Sequence, residues 1–207
     1  SLGFLGHILQ MAILKIARMG HPVLHRIADN VDDPTDPGIT LLINDMIDTL
    51  QDAAGIGLAA PQVHVSKRVV IFFVPESRSG EDEQDSETEL TIMINPVIEP
   101  LSEETNLDWE ACLSVPDLMG SVERYSHIKY SWTTPAGNRE ERLASGFHAR
   151  AVQHECDHLD GLLYPMRMND LSLMGYAEET NRNIKLLRRG HGLEEDFEAE
   201  LQVAEEG

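Results

Sequence analysis

Residues 153–158 read Gln-His-Glu-Cys-Asp-His, which sets His154 and His158 four apart with Glu155 directly after the first. On a helix that spacing places both imidazoles on one face, with Cβ atoms about 5–6 Å apart. Two such rings can hold one metal ion from the same side, and a carboxylate beside the first can take a proton from a metal-activated water. The pattern is H-E-x-x-H, whose mechanical meaning is hydrolysis. The plain alternative is a polar helix end with two solvated histidines.

Working outward, Phe147, Ala151, Val152, Cys156 and Leu159 give this helix a packing side, and Gly161 can stop it. Upstream, Ile128, Tyr130 and Trp132 alternate with Lys129, Ser131 and Thr133, as in a strand with one covered face. Pro135–Asn138 makes a turn, and residues 139–143 can return as the second arm of a hairpin. Val69–Val74 is a β-branched and aromatic run that reads as a buried strand. Leu90–Asn95 reads as another, with Pro96 and Pro100 marking its exits. Ile39, Leu42, Ile43, Met46, Ile47 and Leu50 form the stripe of a half-buried helix over 38–53, which Gly55 can close. A last helix is expected over roughly 171–188. This order predicts an α+β fold, with mostly antiparallel strands around a central metal-binding helix.

The net charge of −20 is concentrated. Residues 76–89 hold seven acids against one base, and residues 194–207 hold seven acids and no base. Both read as solvated segments too polar to bury. The remaining body is only mildly acidic, which argues against a general nucleic-acid binder. With two cysteines, Cys112 and Cys156, a disulfide scaffold is implausible and a reducing compartment fits. No apolar run approaches the roughly 20 residues needed to span a bilayer. We expect residues 1–10 to be an extension, a cloning scar or a targeting remnant, with Met11 as a candidate start. Residues 11–189 then form a single catalytic domain and 190–207 an acidic, flexible tail.

Two histidines do not complete a site, because a catalytic centre of this kind needs a third protein ligand and one open position. Downstream candidates are His191, Glu178 and Glu179. A better one lies upstream: Cys112, in Glu110-Ala111-Cys112-Leu113-Ser114-Val115-Pro116, between expected strands where a loop can present it. Cys156 follows His154 by two residues and faces about 200° away around the helix, so it cannot share that metal.

Three stretches together are more specific than any one. Gly55-Ile56-Gly57-Leu58-Ala59-Ala60-Pro61-Gln62, Glu110-Ala111-Cys112-Leu113-Ser114 and Gln153–His158 resemble, in order and spacing, the three signature motifs of the peptide deformylases. The first and third match at every defining position. The second departs once, with Ala111 where glycine is usual. The resemblance runs from about Met11 to Leu187.

That resemblance implies Cys112, His154 and His158 as ligands of one divalent ion, Fe²⁺ by family habit, with Zn²⁺, Ni²⁺ or Co²⁺ also able to occupy such donors. It implies Glu155 as general base and acid, with the Gln62 side chain and the Leu113 N–H as oxyanion donors. By the same resemblance the substrate would be the formyl group of N-terminal formylmethionine on a newly made polypeptide. Ile56 and Gly57 would pair with it as an added strand. Phe147, Arg150, Ala151, Leu113 and Leu118 would line the methionine pocket beside Glu110 and Ala111, with the Arg150 stem on a wall and its head in water. Glu110 would orient the Cys112 loop, with Arg124 as the partner that spacing alone suggests, and Gln153 would support that loop. If the replaced glycine needs a positive φ, Ala111 would strain the backbone by about 1–2 kcal/mol. Expected partners are the nascent polypeptide and, transiently, the ribosome through Arg182, Lys185, Arg188 and Arg189 of the last helix, with no membrane or direct DNA role. The expected location is the bacterial cytoplasm or an organelle. The competing readings are an H-E-x-x-H peptidase with a downstream third ligand, and a metal-binding homologue without turnover.

Overall fold

The computed structural model describes residues 12–191; the readings for residues 1–11 and for the tail beyond His191 lie outside the described residues. Helix α1 spans Pro37–Asp52. Asp36 caps it by accepting from the Gly38 N–H at 2.6 Å. It ends differently from expectation: Ala54 takes the left-handed conformation (φ 51°) that Gly55 was expected to supply.

Strands β1 (Gly57–Ala59), β2 (Val69–Val74), β3 (Thr88–Pro100), β6 (His127–Thr133) and β7 (Arg139–Ser145) form one antiparallel sheet in the order β1-β2-β3-β6-β7. Strands β4 (Thr105–Cys112), β5 (Val115–Tyr125) and β8 (Met174–Tyr176) form a second, also antiparallel. Helix α2 (Gly146–Leu159) follows β7 directly, and α3 (Ala177–Gly190) ends the described chain. The architecture is α+β with antiparallel pairing throughout the named strands.

Strand β2 explains its own composition. Val69 and Ile71 pack in a cluster with Ile43, Met46 and Leu50 of α1, while Val70, Phe72 and Val74 pack with Ala149, Val152 and Cys156 of α2. Both faces are covered, so the strand is apolar without alternation. Strand β6 shows the expected alternation, with Ile128, Tyr130 and Trp132 buried and Tyr130 stacked on Trp132 at 5.1 Å.

Three boundaries depart from the reading above. Strand β3 runs through Pro96 to Pro100, because a bulge between Ile94 and Val97, with Asn95 at φ 50°, breaks the ladder where proline has no N–H to give. The last helix starts at Ala177, after a short strand. The acidic 76–89 segment is also not all solvated. Asp82 accepts from Ser145 Oγ and Asp85 from the His148 N–H, both at 2.8 Å, so this segment caps the first turn of α2.

His148 carries a pH consequence. Its ring is buried against Tyr130, with Nε2 2.9 Å from the hydroxyl. Burial, then nearby Arg142, pushes its pKa down to about 4, from about 6.5 in an unfolded chain. The neutral ring therefore adds stability that is full above pH 6.5 and is lost as pH falls towards 4, on the order of 2 kcal/mol with partial screening. His148→Phe should flatten that dependence. Between pH 7 and pH 5 the wild-type melting temperature should fall about 3 °C further than the variant's. Parallel slopes would remove His148 as the cause.

Candidate active site

The hairpin β4–β5 and helix α2 meet edge to edge, and the chemistry sits at their junction. Cys112 ends β4, and Leu113 and Ser114 form the turn into β5. Cys112 Sγ lies 3.4 Å from His158 Nε2, and ligand atoms of Cys112, His154 and His158 fall within 4.8 Å of one another. A tetrahedral divalent ion with bonds of about 2.3 Å to sulfur and 2.0–2.1 Å to nitrogen needs an S···N edge of about 3.5 Å. The donors fit such an ion in both type and spacing. His154 Nδ1 contacts Glu110 Oε2 at 2.8 Å, which leaves Nε2 for the metal side. His191 sits beside Asp170, and Glu178 and Glu179 pair with Arg182, so no downstream candidate joins the cluster.

Glu155 is buried beside this set, with Oε2 lacking any hydrogen-bond partner. Burial pushes its pKa up to about 7. Its other oxygen rests on β1: a Cβ built at Gly57 would fall 2.2 Å from Oε1. Gly57 is therefore glycine because the carboxylate needs the space, a contact 98 residues apart in sequence with no local signal. Gln62 is 1% exposed. Its Oε1 accepts from the Ala59 N–H at 2.8 Å, which turns Nε2 towards Ser114 Oγ (3.1 Å) and Cys112 Sγ (3.6 Å). The N-terminal segment ties both motifs together, through Ala17 N–H to Gln62 O and Met19 N–H to Ser114 O, each 2.7 Å.

Below the ligands lies a buried ionic network. Arg124 donates bidentately to Glu110 at 2.8 and 2.9 Å and also to Asp157, while Arg167 grips Asp157 from the other side. Burial alone would raise the Glu110 pKa, but Arg124 and His154 outweigh it and hold the carboxyl well below the usual range. Arg150 departs from expectation. Its guanidinium is buried, donating to Glu110 and to the carbonyls of Asn106 and Val122. From sequence alone that head is expected in water, because its partners all lie on strands β4 and β5, far from it along the chain. Gln153 brackets Tyr125, accepting from its N–H and donating to its carbonyl, rather than supporting the Cys112 turn itself. Arg167 carried no sequence signal.

A cleft of about 480 Å³ opens over these groups. Ile56, Gly57, Gln62, Glu110, Ala111, Cys112, Leu113, Leu118, Phe147, Arg150, Ala151, His154 and Glu155 all line it; His158 does not. Ala111 lies in β4 opposite Met119 and is absent from the positive-φ residues, so alanine strains nothing there. Ala111→Gly should accordingly lower stability by about 0.5–1 kcal/mol, as glycine does in a strand, rather than relieve strain. Urea unfolding decides the sign.

The sequence profile of the family described as Polypeptide deformylase matches residues 13–173. A peptide deformylase 1 of Bordetella pertussis is 52% identical over 163 residues, covering 79% of this chain and 92% of its own. One of Nitrosomonas europaea is 46% identical, with 80% and 93% covered. Among solved structures, the Met-Ala-Ser-bound class I type b peptide deformylase of Acinetobacter baumannii superposes with a TM-score of 0.68 at 38% identity, covering 76% of this chain and 99% of that one. The Ehrlichia chaffeensis peptide deformylase gives 0.71 at 28% identity, with 87% and 97% covered. Three motifs brought to one cleft, and relatives matched over nearly their whole length, make this chain a member of the peptide deformylase family, metal-dependent hydrolases that remove the formyl group from the N-terminus of polypeptides.

Proposed function

We propose that the chain hydrolyses the formyl amide of N-terminal formylmethionine at the Cys112–His154–His158 site, leaving formate and a free amine, and that its native ion is Fe²⁺. The observation that carries this reading is Glu155: a buried carboxyl with one free oxygen, set between three metal-type donors and an edge strand. When bound, a divalent ion supplies Lewis acidity that polarises the formyl oxygen and acidifies a water. Glu155 takes one proton as that water adds to the formyl carbon, and returns it to the nitrogen as the C–N bond breaks. Gln62 Nε2 and the Leu113 N–H donate to the oxygen that gains charge. Strand β1 ends its sheet, so an extended chain would add along its free side at Ile56 and Gly57, the Ile56 carbonyl itself being held on the inner side by the Phe73 N–H. Phe147, Ala151 and Leu118 wall the methionine side chain, and Arg150 acts from beneath by holding β4.

The test is formate release from formyl-Met-Ala-Ser by protein loaded with Fe²⁺ without oxygen. Turnover of this peptide with none of the unformylated one is expected. One bound ion per chain with no release would overturn the reading in favour of a binding homologue.

The same reading places the protein with newly made chains in a bacterial cytoplasm. Among the described residues, no helix is long and apolar enough to cross a membrane. Helix α3 is the proposed ribosome-facing element. Arg182 is already paired with Glu178 and Glu179, and Arg188 reaches Asp108, so docking must compete with these contacts. Deleting residues 192–207, which carry only acids among their charges, should tighten ribosome binding at low salt; unchanged binding removes the tail from the account.

A further inference from the structure

The 76–89 segment carries one cation among its seven acids, Arg78. In such company an arginine ordinarily pairs with a carboxylate. Arg78 does not: among the described residues no ion pair involves it. Its exposed guanidinium lies instead over the Phe147 ring, 4.5 Å from the centroid, and both residues line the cleft. Stacked this way, the guanidinium keeps its edge N–H groups free to donate.

The segment that carries Arg78 is fastened down. Besides the bonds from Ser145 and His148 to Asp82 and Asp85, the Gly80 N–H donates to Asp85 O at 2.9 Å. Space is closed as well, since a Cβ at Gly80 or Gly146 would fall 2.5 or 2.0 Å from Asp85 Oδ2. Arg78 is thus a positioned charge at the rim of the cleft.

We infer that Arg78 is a specificity residue that reads the third residue of the substrate and favours an acidic side chain there, an inference that rests on the deformylase reading. Side chains of an extended chain alternate between two faces, so residues one and three point the same way, about 7 Å apart. With the methionine side chain against Phe147, the third residue faces the guanidinium that covers this ring, and the second turns away. Asp117, the other exposed charged group lining the cleft, sits on the β4–β5 hairpin and attracts cations wherever it reaches. An acid preference that depends on Arg78 therefore cannot come from the cleft as a whole.

The experiment compares kcat/KM of wild type and Arg78→Gln, both metal-loaded at low salt. The peptides are the C-terminal amides of formyl-Met-Ala-Glu, formyl-Met-Ala-Lys, formyl-Met-Glu-Ala and formyl-Met-Lys-Ala. At the third position wild type should prefer Glu over Lys by about fivefold, the upper range for an exposed pair, and the variant by less than about twofold. The second-position ratio should stay put. An unchanged third-position ratio, or an equal change at both positions, overturns the inference. Absence of turnover on all four would count against the deformylase reading alone. The same ratio is then read from binding of the unformylated Met-Ala-Glu and Met-Ala-Lys amides.

Discussion

Glu155→Gln is expected to lower kcat for formate release by about 10²–10⁴-fold, the range for losing a general acid–base group, while the protein still binds one metal per chain. The amide has the shape of the carboxyl and fits the same space against Gly57, so fold and ligands stay in place. What is lost is the free oxygen that takes a proton. Cys112→Ala makes the contrast, because it removes a donor and should lose the metal along with activity. Formate release and metal content, measured on both variants, separate the two losses. A Glu155→Gln enzyme within tenfold of wild type would mean that another group moves the proton.

Arg124→Met should cost about 3–5 kcal/mol of stability, or on the order of 10 °C in melting temperature. The guanidinium is buried between Glu110 and Asp157, and methionine fills the stem while leaving both carboxylates short of a partner. Arg150, His154 and Arg167 remain to compensate in part, which favours the lower end of that range. Metal affinity should also fall, by about 10–100-fold, because Glu110 orients His154. Arg124→Lys should not rescue either property, since a point charge cannot make the bidentate contact with Glu110. A lysine variant as stable as wild type would show that charge alone suffices.

Where residues follow a period, the fold was readable. The α1 stripe and the β6 alternation each report one covered face, and the unbroken Val69–Val74 run reports two. Strands β4 and β5 escaped because the residues they bury mix charge with apolar side chains: Glu110 and Arg124 point inward beside Cys112 and Val122, pairing with each other and, through Arg124, with Asp157 of the neighbouring helix. A hydrophobic pattern is blank for such strands. Pro96 misled for a related reason, since Asn95 bends β3 and fastens itself to Val31 N–H and O at 2.9 Å each, which no periodicity records. At the site, donors announced themselves by residue type and spacing. Their supports did not, because Arg150, Arg167 and Gly57 act across elements, and only spacing pointed to Arg124.

The packing of Glu155 on Gly57 joins two parts of the site. The strand proposed to seat the chain end is the surface against which the carboxylate rests, and no side chain cushions one from the other. On the proposed function, the seat of the substrate and the group that moves the proton therefore share one position: a side chain added at Gly57 would displace the Glu155 carboxylate as well as narrow the seat.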